Sequence, residues 1–226
     1  MWRLKVLDKQ EYVDNIYKNI IGLEDTFEFG CKQCGNCCRN RAEPIMLTGY
    51  DLFNIAKATN LSLVEAMVKF TEGIIGADSK LPIVLLTERY DGSCKLLRKG
   101  RCMIQQDKPL VCRLYPLGRL FDGKQYSYFT QTACKGEGQR IKLKDWLNEF
   151  NIPAYDEAST LWGKLLYGAT YYMQTLLKSK SGEEEAFRNS CLYAFYCSHD
   201  LDLPIEENFK RSIAYLEERY KGFKVD

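Results

Sequence analysis

The feature that most constrains this chain is a run of four cysteines within eight residues, CKQCGNCC, from Cys31 to Cys38. A Cys-x-x-Cys step lets two thiolates face one ion from a single turn, so the run Cys-x-x-Cys-x-x-Cys supplies three ligands. A fourth ligand must then come from further along the chain. Such long-range convergence is expected where metal binding supplies much of the folding free energy. Four more cysteines follow at wider spacing: Cys94, Cys102, Cys112 and Cys134.

Whether the ten cysteines form disulfides or bind metal depends on the cellular compartment in which the protein lies. The N-terminal MWRLKVLDKQ carries charges before any apolar core, so it does not predict a secretory signal. The longest apolar run, around Leu81–Leu86, is too short to span a bilayer. We therefore expect a cytoplasmic protein with no membrane partner, in which thiols stay reduced. Metal ligation is then the first interpretation and disulfide bonding the second.

The composition is that of an ordinary globular protein, with 46% hydrophobic and 27% charged residues. Lys and Arg together number 32, and Asp and Glu 30, so no overall field favours nucleic acid. We expect no nucleic-acid partner, although a local basic patch is compatible with these totals.

The spacing of the first cysteines favours iron over zinc. The run Cys-x-x-Cys-x-x-Cys is typical of cuboidal iron–sulfur clusters, whereas a four-cysteine zinc site usually uses two separated pairs. Cys38 directly follows Cys37, and adjacent side chains on an extended backbone point to opposite sides, so the two can serve two centres or two sides of one. Eight cysteines divide into two four-cysteine sites, or into one site with additional thiols outside it. Gly30 and Gly35 supply the backbone freedom that a tight ligand loop needs.

Local signals in the first part of the chain predict a small α+β scaffold around the cysteines. Thr48, followed three residues later by an Asp, and a capping box over Ser62–Glu65 predict two short helices. LPIVLLTE predicts a buried strand, and the Asp122-Gly123 pair between β-prone segments predicts a hairpin. A turn-like RKG between the first two downstream cysteines predicts a second hairpin. The cysteines are therefore expected on loops and strand ends.

Beyond about Arg140 the pattern becomes helical. Apolar residues at 3.6-residue spacing predict helices through Leu161–Leu176 and Phe209–Tyr220, and a third helix is predicted over Glu183–Ser198. We therefore predict an α+β protein in two parts. A small cysteine-rich metal-binding domain takes residues 1–140, and a C-terminal helical extension takes residues 141–226.

Three further candidate ligands lie in the helical part. Cys191 and Cys197 are six positions apart, roughly 120° around a helix, which predicts that they do not hold one ion together. Cys191 shares a face with Phe187 and Ala194 and is expected in the core. His199 is the only histidine, and its place after a helix predicts a helix-end or surface residue rather than a ligand. Histidine-based zinc catalysis is therefore not expected.

Basic and aromatic residues flank the predicted ligands. Arg113 follows Cys112 and can place a cation beside the sulfurs, where it would tune the potential of a cluster; a surface charge is the alternative. Aromatic residues near the cysteines are expected to shield the site from water: Phe27, Phe29, Tyr115, Tyr126 and Tyr128.

The combined cysteine pattern resembles one family. CxxCxxCC, then C-x7-C-x9-C-R-L-Y-P and a later C-x-G-x-G, resemble the YkgJ-type CxxCxxCC cysteine-cluster family, described as a zinc- or iron-chelating domain. The resemblance covers roughly Phe29–Gly138. The chain departs from the family at Lys108-Pro109, where Arg-Pro is usual, and at Lys95-Leu96, where Pro-Phe is common. The resemblance implies that eight cysteines form the metal or iron–sulfur site: Cys31, Cys34, Cys37, Cys38, Cys94, Cys102, Cys112 and Cys134.

A second resemblance bears on activity. The cysteine cluster is similar to that of the flagellin lysine N-methylase, which implies methyl transfer from S-adenosylmethionine, but no glycine-rich nucleotide loop follows a predicted strand. We therefore predict a cytoplasmic iron–sulfur protein, with a [4Fe–4S] cluster and a redox or electron-transfer role toward an unidentified protein or redox partner. Two alternatives stay open: a structural zinc-binding protein and an S-adenosylmethionine-dependent protein lysine N-methylase-like enzyme. The pattern does not decide whether the protein is an enzyme.

Overall fold

The computed structural model describes residues 9–31, 34–39, 44–121, 125–131 and 138–225. Helices and strands alternate in the first part, and the C-terminal part is helical, as the sequence predicts. None of the helices in the described part of the chain has the length and apolar character that a bilayer crossing requires. The α-helices are Lys9–Lys18 (α1), Gly49–Thr59 (α2), Leu63–Phe70 (α3), Leu110–Leu114 (α4), Leu143–Glu149 (α5), Asp156–Ser179 (α6), Glu184–Leu192 (α7) and Ile205–Arg219 (α8).

Short strands pair into small antiparallel sheets between these helices. The strands are Ile20–Ile21 (β1), Thr26–Phe29 (β2), Ile45–Leu47 (β3), Thr71–Ile75 (β4), Pro82–Leu86 (β5), Leu97–Arg98 (β6), Arg101–Cys102 (β7), Leu117–Phe121 (β8), Tyr126–Thr130 (β9) and Gln139–Lys142 (β10). Their orders in the sheets are β1-β9-β8, β10-β2, β3-β5-β4 and β6-β7. The predicted α+β class is therefore confirmed, together with a helical C-terminal region.

Contacts between residues divide the chain into two compact units, each built from two sequence segments. Met1–Cys34 and Val111–Pro153 form the first unit, and Gly35–Leu110 and Ala154–Asp226 form the second. The predicted boundary at residue 140 separates two continuous stretches of the chain, whereas each compact unit combines two stretches. The boundary therefore stays a prediction.

The core of the first unit forms around Trp146 on α5. Strand β2 buries alternate residues, and its Phe27 and Phe29 rings meet the indole edge-on, with centroids 5.8 and 5.4 Å away. The indole Nε1 donates to the Leu114 carbonyl at 3.3 Å. Two of the aromatic residues expected beside the cysteines thus form the hydrophobic core of this unit.

The predicted hairpin of the first unit is confirmed. Strands β8 and β9 pair antiparallel along their full length, while the Asp122-Gly123 turn lies outside the described residues. The Arg119 guanidinium carbon lies 4.1 Å from the centroid of the Tyr126 ring, a cation–π contact. Tyr128 is buried on β9. Both tyrosines therefore pack within the unit that contains this sheet.

Both helix starts predicted in the second unit are confirmed as capping boxes. At α2 the Thr48 hydroxyl accepts from the Asp51 N–H at 3.1 Å, and the Asp51 carboxylate accepts from the Thr48 N–H at 2.8 Å. At α3, Ser62 and Glu65 repeat this arrangement at the surface. Asp51 is buried, and its other oxygen accepts from the Leu110 N–H at 2.8 Å. The carboxylate thus ties the start of α2 to the chain at Leu110.

Removing this buried carboxylate should cost more stability than removing its surface counterpart. We expect Asp51→Ala to lower the free energy of unfolding by about 2–4 kcal/mol, because the N–H groups of Thr48 and Leu110 lose their acceptor. The matched control Glu65→Ala opens an exposed capping box and should cost about 1 kcal/mol or less. Urea unfolding of both variants measures the difference. Equal losses would contradict a buried anchor at Asp51.

The helices predicted in the C-terminal part are confirmed, with one change of character. On α6, Leu165 and Met173 are fully buried. Helix α7 continues into a π-helix over Tyr193–Cys197. Cys191 is fully buried, as predicted, and burial raises the pKa of its thiol. Cys197 is half-buried, and burial raises the pKa of its thiol as well.

His199 follows the π-helix and lies at a helix end, as predicted, but it is buried rather than at the surface. Only 6% of the residue is exposed, and its ring packs edge-on against Phe209 of α8, with centroids 5.3 Å apart. Neither ring nitrogen has a hydrogen-bond partner among the described residues. Burial lowers the pKa of the imidazole to about 4. The nearby Ala194 backbone raises this pKa in part, although it does not form a hydrogen bond with the ring. The surface interpretation was wrong because the ring is covered by a helix that follows it in sequence.

This burial makes stability depend on pH. An unfolded histidine has a pKa of about 6.5, so from there down to pH about 4 the unfolded chain binds a proton that the folded protein excludes. We expect His199 to lower the free energy of unfolding by on the order of 2 kcal/mol between about pH 7 and about pH 5. His199→Leu should remove that part of the pH dependence, which urea unfolding of both proteins at the two pH values measures. An unchanged pH dependence in the variant would rule out this role.

Candidate metal centre

The structure places seven of the eight predicted ligands, each as a reduced cysteine outside a disulfide bond. Cys134 lies outside the described residues. The first unit holds Cys31, Cys34 and Cys112, and the second unit holds Cys37, Cys38, Cys94 and Cys102.

Cys37 and Cys38 lie side by side on a 3₁₀ turn, Asn36–Cys38. Gly35 begins the turn with φ 72°, and its carbonyl accepts from the Cys38 N–H at 3.0 Å. A Cβ at Gly35 would lie 3.0 Å from the Gly100 carbonyl oxygen, so both this close approach and the positive φ favour glycine. The two Sγ atoms are 4.0 Å apart. The expectation that these side chains point to opposite sides was wrong, because the backbone is helical here rather than extended.

Cys94 is held against this turn by the backbone. Its N–H donates to the Cys38 carbonyl at 2.7 Å. It follows a tight turn in which the Arg89 N–H donates to the Ser93 carbonyl at 2.7 Å. The Arg89 guanidinium reaches three acceptors around the same loop: Ser93 Oγ at 3.1 Å, the Lys95 carbonyl at 2.9 Å and the Leu97 carbonyl at 2.6 Å. Arg89 therefore fixes the loop on both sides of Cys94.

Cys102 lies on the second predicted hairpin, which is confirmed. Strands β6 and β7 pair with Leu97 opposite Cys102, and the turn residues Lys99 and Gly100 have φ 47° and 81°. Positive φ at both central positions is the geometry that suits two-residue hairpin turns. The Leu97 N–H also donates to the Cys94 carbonyl at 3.0 Å. Backbone hydrogen bonds thus link all three segments that carry the thiols of the second unit.

The thiols of the second unit affect one another's pKa values. The hydrogen bond with Cys38 lowers the pKa of the Cys37 thiol to about 6, and the positive charge of Lys108 adds to this shift against the effect of burial. Burial raises the pKa of Cys102, and the charges of Cys94 and Cys37 raise it further, while Lys108 opposes them. The cysteines therefore lie within electrostatic range of one another and of one lysine.

The cysteines of the first unit have a different setting. Cys31 and Cys34 are exposed after β2. Cys112 is half-buried and lies in the short helix α4, not on a loop or a strand end as expected. The Arg113 guanidinium, which was expected beside the sulfurs or at the surface, donates to the Phe150 carbonyl at 3.4 Å. Lys108 is a cation whose charge acts on Cys37 and Cys102 of the second unit.

Thiolates are the ligands that zinc, iron and iron–sulfur clusters share, so the donor set of the second unit fits any of them. Within the described residues, no group of three or more cysteine, histidine, aspartate or glutamate side chains already has a geometry that would hold a metal ion. The four thiols therefore lie on linked segments but do not form a complete coordination shell in this structure.

Comparison with known proteins bears directly on this donor set. Residues 30–135 match the model of the CxxCxxCC family, described as a "putative zinc- or iron-chelating domain". The matched segment is similar to this family and makes up just under half of the chain. The CxxCxxCC segment includes all eight predicted ligands and ends before α5, so it excludes Cys191, Cys197 and His199. No curated protein and no solved structure matches the chain. Metal binding through a cysteine cluster, with zinc or iron, is thus supported by the family.

The roles of two residues in this region were not predicted from the sequence. Arg89 was not identified, although the Asp-Gly-Ser that follows it in ERYDGSC is a turn signal. Lys108 was noted only as a departure from the family, and its effect on Cys37 and Cys102 depends on how the chain folds.

Arg89 should control how tightly the second unit holds metal. We expect Arg89→Lys to weaken metal affinity by about tenfold or more, because a lysine cannot reach the three acceptors that position the loop of Cys94. Competition with a chromogenic chelator measures the affinity. The matched control Arg98→Lys changes an exposed residue on the adjacent hairpin and should have no effect. Equal affinities for the two variants would show that Arg89 does not position the ligand.

Proposed function

We propose that the cysteines bind an iron–sulfur cluster of the [4Fe–4S] type and that the protein has a redox role in the cytoplasm. It carries electrons, senses oxidants or supports the modification of a partner protein. The CxxCxxCC family supports iron or zinc chelation, and the second unit supplies the four cysteine thiolates that a cuboidal cluster takes. The observation that carries the proposal is that backbone hydrogen bonds link the three segments that hold four cysteines of the second unit.

The proposed ligands of this cluster are Cys37, Cys38, Cys94 and Cys102. Their segments are joined by backbone hydrogen bonds, and the charges of Cys94 and Cys37 act on Cys102. The other predicted ligands are assigned to a second centre or to thiols outside a cluster, and iron content separates these two cases. They are Cys31, Cys34, Cys112 and Cys134.

The residues of the chain would set the conditions for electron transfer. When bound, the cluster would supply a one-electron redox couple. Lys108 is near enough for its charge to act on Cys37 and Cys102. A positive charge beside the thiolates stabilises the more negative, reduced state and so raises the reduction potential. Cys94 is buried and Cys38 and Cys102 are half-buried, which limits the access of water on that side.

Iron and acid-labile sulfide content, measured on protein purified without oxygen, tests the proposal. We expect a brown protein with iron and sulfide in equal amounts, about four of each per chain for one cluster and about eight for two. Cys94→Ser should lose the visible absorption and the iron of the second unit. Cys197→Ser, which changes a half-buried cysteine outside the CxxCxxCC segment, should retain both. A colourless protein without sulfide would refute the iron–sulfur proposal.

A structural zinc site is the second candidate, and one distance favours it. A tetrahedral ion with Zn–S bonds of about 2.3 Å holds its sulfurs about 3.8 Å apart, close to the 4.0 Å between the Sγ atoms of Cys37 and Cys38. This candidate predicts stoichiometric zinc without sulfide, and unfolding of the protein when the zinc is removed by a chelator. The described residues add no observation in favour of an S-adenosylmethionine-dependent methylase.

A further inference from the structure

A group of cations lies on the hairpin β6-β7, which also carries one of the proposed ligands of the second unit. Arg98, Lys99 and Arg101 are exposed around its turn. Leu97 and Cys102 pair across the same hairpin, and they are buried and half-buried. Because side chains alternate between the two faces of a strand, Arg98 and Arg101 lie on the face opposite to the Cys102 thiol. The hairpin therefore presents cations to solvent on one face and a thiol on the other.

The charges on this hairpin are not balanced within the chain. Arg98 and Arg101 are direct cross-strand partners, and like charges directly opposite each other are destabilising. Lys99 adds a third positive charge in the turn between them. Among the described residues, none of the three forms an ion pair. An anionic group from outside the chain would therefore relieve a repulsion that the hairpin sustains by itself.

Arg39 extends this group of cations from the neighbouring cysteine turn. It is exposed and directly follows Cys38. Its Nη1 atom lies 2.7 Å from the position that a Cβ would take at Gly35, and its Nη2 atom lies 4.0 Å from the corresponding position at Gly100. The guanidinium is therefore beside both turns. Four exposed residues together form what we call the basic hairpin surface: Arg39, Arg98, Lys99 and Arg101.

The surroundings of this surface favour an acidic protein over a nucleic acid as its partner. The net charge of the chain is only +2, so the surface is a local feature and not part of a general positive field. The exposed Asp91 is next to Gly92, where a Cβ would lie 3.8 Å from the Arg39 carbonyl oxygen. The exposed Asp107 is next to Lys108, whose charge acts on the thiols. These carboxylates would repel a continuous row of phosphates, whereas an acidic protein can offer a lysine to each of them.

We propose that the basic hairpin surface is the docking site of an acidic electron-transfer protein that exchanges electrons with the metal centre. This inference rests on the proposed iron–sulfur function. In the reducing direction, one electron leaves the partner's cofactor and enters the cluster, so the partner is oxidised and the cluster is reduced, and no bond forms or breaks. The electron has a short path, because Arg101 on the docking face and Cys102 on the cluster face are adjacent residues. Opposite charges also speed the encounter of two proteins, which suits a transient redox contact.

Isothermal titration calorimetry of the cluster-containing protein, with an acidic plant-type [2Fe–2S] ferredoxin as the probe, tests the docking site. We expect association at an ionic strength of about 20 mM that weakens about tenfold or more at about 200 mM. Arg98→Glu should weaken the association about tenfold at low salt, and the charge-conserving Arg98→Lys should leave it unchanged. The matched control Lys178→Glu makes the same change in net charge at an exposed residue of α6 and should also leave it unchanged.

Two further measurements separate docking from folding and from electron transfer. Arg98→Glu should not lower the thermal stability, because a carboxylate then lies opposite Arg101. A loss of binding in this variant therefore does not come from unfolding. Stopped-flow spectroscopy follows the reduction of the cluster by the reduced ferredoxin, which Arg98→Glu should slow by a similar factor and Lys178→Glu should not.

The possible failures can be told apart when iron and sulfide are measured on the same preparations. A protein that holds a cluster but does not bind the ferredoxin would overturn the docking site and leave the proposed function standing. Equal weakening by Arg98→Glu and Lys178→Glu would do the same, and so would tighter binding of a single-stranded DNA oligonucleotide than of the ferredoxin. A protein without iron and sulfide would refute the proposed function, and the electron-transfer docking site with it.

Discussion

The backbone hydrogen bond of 2.7 Å from the Cys94 N–H to the Cys38 carbonyl joins the turn of Cys37 and Cys38 to the downstream cysteines of the second unit. The loop that it closes contains α2, α3 and the sheet β3-β5-β4, so closure carries an entropic cost that the scaffold must offset. The bond from the Leu97 N–H to the Cys94 carbonyl then extends the link to the hairpin of Cys102. An ion or cluster bound by these thiols would stabilise the folded chain further, since the unfolded chain lacks the arrangement.

Buried and half-buried polar side chains act in two opposite ways in this unit. Asp51 accepts from two backbone N–H groups that lie far apart in sequence, and the Arg89 guanidinium donates to two backbone carbonyls. Hydrogen bonds to a charged group are strong enough to offset the desolvation of that group. His199 has no such partner among the described residues, and it is accommodated only as the neutral imidazole. Asp51 and Arg89 hold parts of the fold in position, whereas His199 makes the stability of the protein sensitive to acid.

The parts of the fold that the sequence predicts correctly have local causes. Thr48 and Ser62 cap helices because their partners lie three residues away, and the hairpin of Cys102 forms because a Lys-Gly pair accepts positive φ. The burial of His199 depends on α8, and no signal next to the histidine reveals that contact. The pairing of Cys37 with Cys38 depends on the 3₁₀ turn, which a rule for extended backbone does not cover. Each compact unit also joins two distant segments, which composition along the chain cannot indicate.

The choice between iron and zinc depends on how far apart the ligand sulfurs must lie. A single tetrahedral ion accepts sulfurs at nearly the separation that Cys37 and Cys38 already have. A cuboidal cluster binds each thiolate to a different iron, so its ligand sulfurs lie further apart. Binding a cluster through both residues therefore requires the two Sγ atoms to move apart. Rotation about χ1 of Cys37 or Cys38 allows this without a change in the 3₁₀ turn, whereas a zinc ion leaves the two sulfurs near their present separation. The side-chain rotamers of this pair, rather than the identity of the four ligands, are what would differ between the two metals.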